Sequence, residues 1–267
     1  MRPLADAAAA DLAAVEFVLT DMDDTLTFRG RLAARTYSAL EELQDAGVKV
    51  IPVTAAPAGW CDQMARMWPV DAVIGENGAL YLRHRNGAIE RNFWRGTAFD
   101  ADMARLRRLG DLVLGQLPDA RIATDQPFRL ASLAFDRPPA PDTCNGLVKI
   151  LRANGAGATV NSLWVLASFG GFDKLSMSRR LMHDLYGIDI EQSRDTVFYV
   201  GDSANDAPMF RHFPKSAGVS TVVEHLADID HPPAWITRGP GGAGFVEVAE
   251  AIIAAKQTAD ARAHKQS

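Results

Sequence analysis

Along this chain, short apolar runs repeatedly end in polar residues. Phe17-Val18-Leu19-Thr20 leads into Asp21-Met22-Asp23-Asp24-Thr25, Val48-Lys49-Val50-Ile51-Pro52-Val53 ends at Thr54, and Ala72-Val73-Ile74 ends at Gly75-Glu76-Asn77-Gly78. Runs of this length read as buried strands whose polar ends emerge at water, a metal or a substrate. Between the first two, Leu32, Tyr37, Leu40 and Leu43 recur at helical spacing and Gly47 follows as a C-cap. Strand, helix and strand at this spacing form a βαβ unit, which calls for a parallel sheet with right-handed crossovers. A further helix, holding Trp60, Met64 and Met67, follows Thr54.

Beyond Gly78 the pattern becomes antiparallel. Leu80-Tyr81-Leu82 and Ile89-Glu90-Arg91-Asn92-Phe93 flank Asn86-Gly87, the strongest short signal for a two-residue hairpin. Helices are expected near 100–117 and 142–153, with strands near 121–124, 129–136 and 160–167. The Pro-rich stretch Arg137-Pro138-Pro139-Ala140-Pro141 links elements rather than domains. After Gly170-Gly171, Asp173-Lys174 opens a helix with Leu175, Leu181, Met182 and Leu185 on its apolar face. The run Val197-Phe198-Tyr199-Val200 then ends in Gly201-Asp202-Ser203-Ala204-Asn205-Asp206. Fold class is therefore α/β: a Rossmann-like parallel-sheet core over 1–84 and 170–267, with an inserted α+β cap domain over 85–169. The tail from Gln257 is polar and expected to fray.

In open α/β sheets, ligands sit beyond the carboxyl ends of the strands, where Asp21, Asp23 and Thr54 fall. If the extended geometry persists past Thr20, Asp21 and Asp23 leave the same face of the chain. One carboxylate can then attack an electrophile while the other handles a proton, and a divalent cation lets the like charges sit together. A plain strand end capped by Asp turns would give the same residues. Thr54 suits either an N-cap or a cradle for an anionic oxygen. Lys174 opposes the helix dipole at its own helix start, at a cost under about 1 kcal/mol, so it reads as either a solvated lysine or a counter-charge for the carboxylates. Asp202 and Asp206 add hard oxygen ligands with no His or Cys nearby, which points to Mg²⁺.

A length of 267 residues suggests two domains or one domain with a large insertion. With 48% hydrophobic and 23% charged residues the chain is of ordinary globular composition, and its net charge of −5 argues against nucleic acid as a partner. Cys61 and Cys144 make neither a disulfide framework nor a zinc set, and suggest a reducing compartment. Asp6 and Asp11 interrupt the alanine-rich N-terminus, and no stretch approaches the ~18 apolar residues of a membrane span. A cytoplasmic location without membrane partners is expected. Gly239-Pro240-Gly241-Gly242-Ala243-Gly244 matches G-x-G-x-x-G, but no second strand and acidic ribose partner follow it.

Four separated pieces, Asp21-Met22-Asp23-Asp24-Thr25-Leu26-Thr27, Val53-Thr54, Lys174 and Gly201-Asp202-Ser203-Ala204-Asn205-Asp206, agree in order and character with the haloacid dehalogenase superfamily. The position of the insertion resembles subfamily IIB, the branch with Cof-type sugar phosphatases, sucrose-phosphate phosphatase and mannosyl-3-phosphoglycerate phosphatase. This resemblance implies a Mg²⁺-dependent phosphatase acting through an aspartyl-phosphate on a small phosphorylated metabolite, a sugar phosphate or phosphoglycerate derivative. It makes Asp21 the nucleophile, Asp23 the general acid and base, and Thr54 and Lys174 the ligands of the phosphoryl oxygens. Mg²⁺ would be held by Asp202, one Asp21 oxygen and the Asp23 carbonyl, with Asp206 at the metal or supporting it and Asn205 beside the substrate. Arg129 in the loop after Asp125-Gln126, and Asn161-Ser162, are the cap candidates for reading the rest of the substrate. Two positions depart from the family pattern: Ala55-Ala56-Pro57 stands where Gly-Arg often follows the Thr, and Leu175 replaces a frequent Gly. A phosphomutase of the same architecture and a noncatalytic binding module are the alternatives.

Overall fold

The computed structural model describes residues 1–161 and 163–266. Strand β1 (Arg2–Pro3) and helix α1 (Ala9–Ala13) precede β2 (Phe17–Thr20); β3 (Thr27–Phe28) and β4 (Arg31–Leu32) then lead to α2 (Ala34–Asp45), β5 (Lys49–Pro52), α3 (Ala58–Met67) and β6 (Val73–Gly75). Next come β7 (Leu80–Arg85), β8 (Ala88–Phe93), α4 (Phe99–Gln116), β9 (Leu133–Asp136), α5 (Pro141–Ala153), β10 (Gly157–Val160) and β11 (Trp164–Ser168). The chain returns through α6 (Lys174–Tyr186), β12 (Val197–Gly201), α7 (Ala207–His212), β13 (Ser216–Gly218), β14 (Trp235–Ile236) and α8 (Gly241–Gln266).

The main sheet is parallel, in the order β1-β14-β13-β12-β2-β5. Its central strands are apolar on both faces because helices cover both. Val18, Val50, Phe198 and Val200 pack with α2, α3 and α8, whereas Phe17, Leu19, Ile51 and Tyr199 pack with Met177 and Leu181 of α6 and with Met209 and Phe210 of α7. This is the three-layered, Rossmann-like α/β arrangement expected from the strand runs. β2 lies between β5 and β12, with Thr20 opposite both Pro52 and Val200, so the segments after all three strands emerge at one edge.

Antiparallel sheets extend this core. The hairpin β7–β8 turns at Asn86 and Gly87, both at positive φ as a type I′ turn requires, and pairs through β6 with the core, where Val53 bridges Ile74. A division of the chain at residue 85 cuts through this hairpin, since Arg85 pairs with Ala88. The α+β layer that follows has its own sheet, β10-β11-β9, packed on α4 and α5 around Met103, Leu106, Val113, Phe135, Leu147, Leu151 and Val165. Two details differ from the sequence reading. The run 160–167 splits into β10 and β11 because Asn161 turns the chain, its carboxamide oxygen accepting the N–H groups of Leu163 and Trp164. Arg121 to Thr124 forms no strand beyond the single bridge Ile122–Phe135.

Helix α8 packs across α1 and α2 and continues through the alanine-rich tail to Gln266, where fraying was expected. Its glycine-rich start is a packing device. A Cβ on Gly242 would lie 2.2 Å from Thr36 Oγ1 and 2.7 Å from the Leu26 carbonyl oxygen. Among the described residues no helix is long and apolar enough to cross a membrane. Gly242→Ala should therefore cost about 1–3 kcal/mol through overpacking. Gly115→Ala, on the exposed side of α4 with open space around it, should stabilise by up to about 1 kcal/mol. Thermal unfolding of the two variants checks both signs.

Candidate active site

The parity of β2 decides where Asp21 points. Phe17 and Leu19 face α6, and the Asp21 N–H still bonds the Val200 carbonyl at 2.8 Å, so the strand geometry carries the Asp21 side chain to the α6 side as well. Lys174, first residue of α6, meets it there. The helix start is fixed by a capping box in which Asp173 accepts from Ser176 N at 2.7 Å and the Ser176 hydroxyl accepts from Asp173 N at 2.9 Å. Fully buried, Lys174 Nζ lies 2.9 Å from Asp21 Oδ1 and 2.7 Å from Asp206 Oδ1.

Asp206 is a hub for donors. Besides Lys174, its Oδ1 accepts the Tyr199 hydroxyl at 2.5 Å, and its Oδ2 accepts the N–H groups of Asp202 at 2.9 Å and Ser203 at 3.1 Å. These bonds shape the loop after β12 and present Asp202, whose Oδ1 accepts the Thr25 hydroxyl at 3.1 Å. One carboxylate oxygen from each of Asp21, Asp202 and Asp206 lies within 4.8 Å of the others. Among the described residues, no donor reaches Asp21 Oδ2 or Asp202 Oδ2. Three carboxylates facing one ammonium leave an excess of negative charge on hard oxygens, which fits a divalent cation held by Asp21 and Asp202. Asp206, with four donors already on its two oxygens, fits better as the support behind them.

Electrostatics agree. Burial pushes Asp21 up to about 7, against the pull of Lys174, and pushes Asp202 up to about 9, with Asp21 and Asp206 adding repulsion. Burial would lower the Lys174 ammonium, but attraction by Asp206 and Asp21 wins and holds it above its ordinary range. The Tyr199 phenol, raised by burial and by Asp206, stays a donor.

Asp23 stands apart. The Met22 carbonyl accepts the N–H groups of Thr25, Leu26 and Thr27, and Asp24 sits at φ 56, so the chain turns instead of extending beyond Asp21. Asp23 is half-buried outside the acidic trio, and burial, then the neighbouring Asp24, raise it to about 6 while Lys174 and Arg129 oppose. Thr54 is buried beside this turn; its hydroxyl oxygen accepts Ala56 N at 3.0 Å, which leaves its hydrogen free for an anionic oxygen. Asn205 is half-buried and accepts the Ser203 hydroxyl at 2.8 Å. Asn161 caps its own turn and, with Arg137, Asn145, Leu163, Ser203 and His225, lines a cleft of about 820 Å³. Arg129 is buried in an ion pair with Asp125, 2.7 Å away. Ser162 lies outside the described residues. Thr25, Tyr199 and Glu76 also belong to this neighbourhood; the first two stood in the sequence as a turn residue and a core aromatic, with no local signal of their partners.

Residues 18–93 match the haloacid dehalogenase-like hydrolase family. No curated protein matches the chain in sequence. Among solved structures, the Thermoplasma acidophilum protein 0175 superposes with a TM-score of 0.72 at 17% identity, covering 89% of this chain and 98% of its own. BT1666 of Bacteroides thetaiotaomicron, described among phosphatases of the haloalkanoate (HAD) superfamily, gives 0.63 at 17% identity over 90% of this chain and 96% of its own. The C-terminal domain of C. albicans trehalose-6-phosphate phosphatase gives 0.66 at 13% identity over 92% and 95%. The family match thus covers the segment from β2 to β8, and the chain as a whole shares the fold of these solved structures.

The metal-free site makes a testable linkage. Carboxylates raised in the folded state bind more protons there than in the unfolded chain, so their contribution is present at acid pH and is lost as pH rises from about 4 towards the folded values of about 6, 7 and 9. The melting temperature of the chelated protein should fall from pH 5 to pH 9. Mg²⁺ at a hundredfold excess over Kd should add about 2.7 kcal/mol, or roughly 5–10 °C for a chain of this size. Asp202→Asn should flatten the fall and lose most of the Mg²⁺ shift; retention of the whole shift would remove Asp202 from the ligand set.

Proposed function

We propose that this hydrolase is a Mg²⁺-dependent phosphatase that moves a phosphoryl group from a small metabolite to Asp21 and then to water. The observation that supports it most is the division of labour between two aspartates two residues apart. Asp21 has one oxygen held by Lys174 and the other unbonded, while Asp23 sits outside the acidic trio and is raised to about 6.

In this reading Asp21 Oδ2 attacks phosphorus as the bond to the leaving oxygen breaks, and the protonated Asp23 gives its proton to that oxygen. Asp23, now a carboxylate, takes a proton from water; the water oxygen bonds to phosphorus, the bond to Asp21 breaks, and phosphate leaves. Lys174 keeps Asp21 oriented, and the third hydrogen of its ammonium is available to a phosphoryl oxygen together with the Thr54 hydroxyl. Mg²⁺ bound by Asp21, Asp202 and the Asp23 carbonyl would neutralise phosphoryl charge. The polar cleft lined by Asn145, Asn161, Arg137 and His225 beside the Ser203 loop suits a hydroxylated leaving group such as a sugar. Trehalose-6-phosphate phosphatase among the structural neighbours is in keeping with that class. The unpaired Cys61 and Cys144 suit a reducing cytoplasm.

Asp21→Asn should lower turnover at least about a thousandfold with the fold intact, because the amide keeps the shape and loses the attacking charge. Asp23→Asn should still release p-nitrophenol from p-nitrophenyl phosphate in a first turnover, with steady-state turnover down by about 10²–10⁴. Phosphate release from a panel of phosphorylated metabolites, with and without Mg²⁺, measures both. Normal turnover by Asp21→Asn would end the mechanism.

A further inference from the structure

The turn from Gly75 to Gly78 touches three parts of the molecule. Glu76 N donates to the Ala56 carbonyl at 3.0 Å and Asn77 N to the Thr54 carbonyl at 2.9 Å, which ties the turn to the Thr54 segment. Gly78, at φ +104, lies so near the start of α6 that a Cβ would be 2.2 Å from the Asp173 carbonyl oxygen. The third contact is the Glu76 side chain, which reaches the inserted layer.

Glu76 is only 1% exposed, and its carboxylate collects four donors from other elements. They are Leu130 N at 2.7 Å, Ala131 N at 3.0 Å, the Ser132 hydroxyl at 2.6 Å and Ala58 N, at the start of α3, at 3.2 Å. A carboxylate serving only its own turn would bond the amides of that turn, but those go to Thr54 and Ala56. Glu76 and Asn77 also occupy the left-handed region, at φ 48 and φ 60, which non-glycine residues adopt only where the surroundings demand it.

Arg129 begins the segment that Glu76 catches. Its buried guanidinium bonds both Asp125 oxygens, at 2.7 and 3.4 Å, the Ser132 hydroxyl at 3.3 Å and the Ala55 carbonyl at 3.0 Å, and lies over the Trp164 ring at 4.8 Å. Those bonds commit four of its five N–H donors, so it is held and cannot swing to follow a ligand. An apolar contact reinforces the seam: the Phe128 and Trp60 rings are 5.1 Å apart, and a Cβ on Gly59 would lie 3.0 Å from Phe128.

We propose that Glu76 is a positioning residue which docks the 129–132 segment of the insertion onto the core, and that this docking fixes Arg129 over the Ala55 turn, at the same carboxyl edge of the sheet from which Asp23 leaves. The docking stands on geometry alone; its catalytic consequence rests on the phosphatase reading, in which Asp23 must be correctly placed to take a proton from water.

Two measurements on Glu76→Gln test the two parts. Amide hydrogen exchange of the peptide spanning Leu130 to Ser132 needs no substrate and should accelerate at least about tenfold, with β2 and β12 unchanged. Ser132→Ala, which deletes one donor and leaves the carboxylate, should show a smaller acceleration and serves if Glu76→Gln fails to fold. Unchanged exchange would overturn the docking role. With p-nitrophenyl phosphate, whose leaving group needs no proton, Glu76→Gln should lower kcat about tenfold or more while kcat/KM changes by less than about threefold, so that KM falls with kcat. Arg129→Ala should do the same, and the double variant should be no worse than either single one. Equal losses in kcat and kcat/KM, or losses that multiply in the double variant, would overturn the positioning role. Absence of phosphate release by the wild type would overturn the phosphatase reading, and the exchange result would still decide the docking.

Discussion

An ammonium group with no contact to water holds this site together. Removing a lysine from solvent costs several kcal/mol, and the cost is recovered only where opposite charge and hydrogen bonds meet it closely. Lys174 meets Asp21 and Asp206, and those two residues belong to segments that are far apart in sequence. The ion triad therefore pins the end of β2, the start of α6 and the loop after β12 to a single point. It also leaves the pocket short of positive charge, since Asp202 joins the same cluster without a cation of its own. The same arrangement that fixes the scaffold leaves an excess of negative charge that a divalent cation would offset.

Sheet topology makes that convergence possible. Parallel strands β5, β2 and β12 end at one edge, so Thr54, Asp21 and Asp202 approach one another without any long loop having to fold over. Charge is divided across this edge. The trio around Lys174 is deeply buried, whereas Asp23 lies half-buried in a turn at the boundary with the inserted layer. That boundary is itself ordered by small residues: Ala55 packs with Ala123, Ala134 and Leu166, and Glu76 and Arg129 reach across it in opposite directions.

Strands β2, β5, β6 and β12, the helices α2, α4, α5 and α6, and the Asn86-Gly87 hairpin were legible in hydrophobic period and turn chemistry, whereas the short strands β1 and β13 were not. Those signals are local, and local signals suffice where a strand is apolar on both sides or a turn needs positive φ. What escaped is non-local. Nothing near Asp206 announces that it gathers Lys174, Tyr199 and two backbone amides, and its acidity alone suggested a ligand. Glu76 read as part of a turn because three of its four donors lie more than fifty residues further along. Arg129 was one candidate in the cap for reading the substrate, yet Asp125, four residues earlier, and the Ala55 carbonyl occupy it. The Asn161 turn was hidden inside a stretch, 160–167, that read as one strand.

The order of strands in the sheet also constrains how the chain can assemble. β2 is complete after residue 20, but its neighbour β12 begins at Val197, so the strand bearing Asp21 must wait through most of the polypeptide before its second edge is covered. The insertion does not wait: its apolar core is drawn entirely from residues between Met103 and Phe169. Contacts so local close at low entropic cost, whereas those that complete the main sheet span nearly two hundred residues. The residues of the inserted core are thus all synthesised while the first strands still have an open edge, and the cluster of Asp21, Lys174 and Asp206 can close only with the last third of the chain.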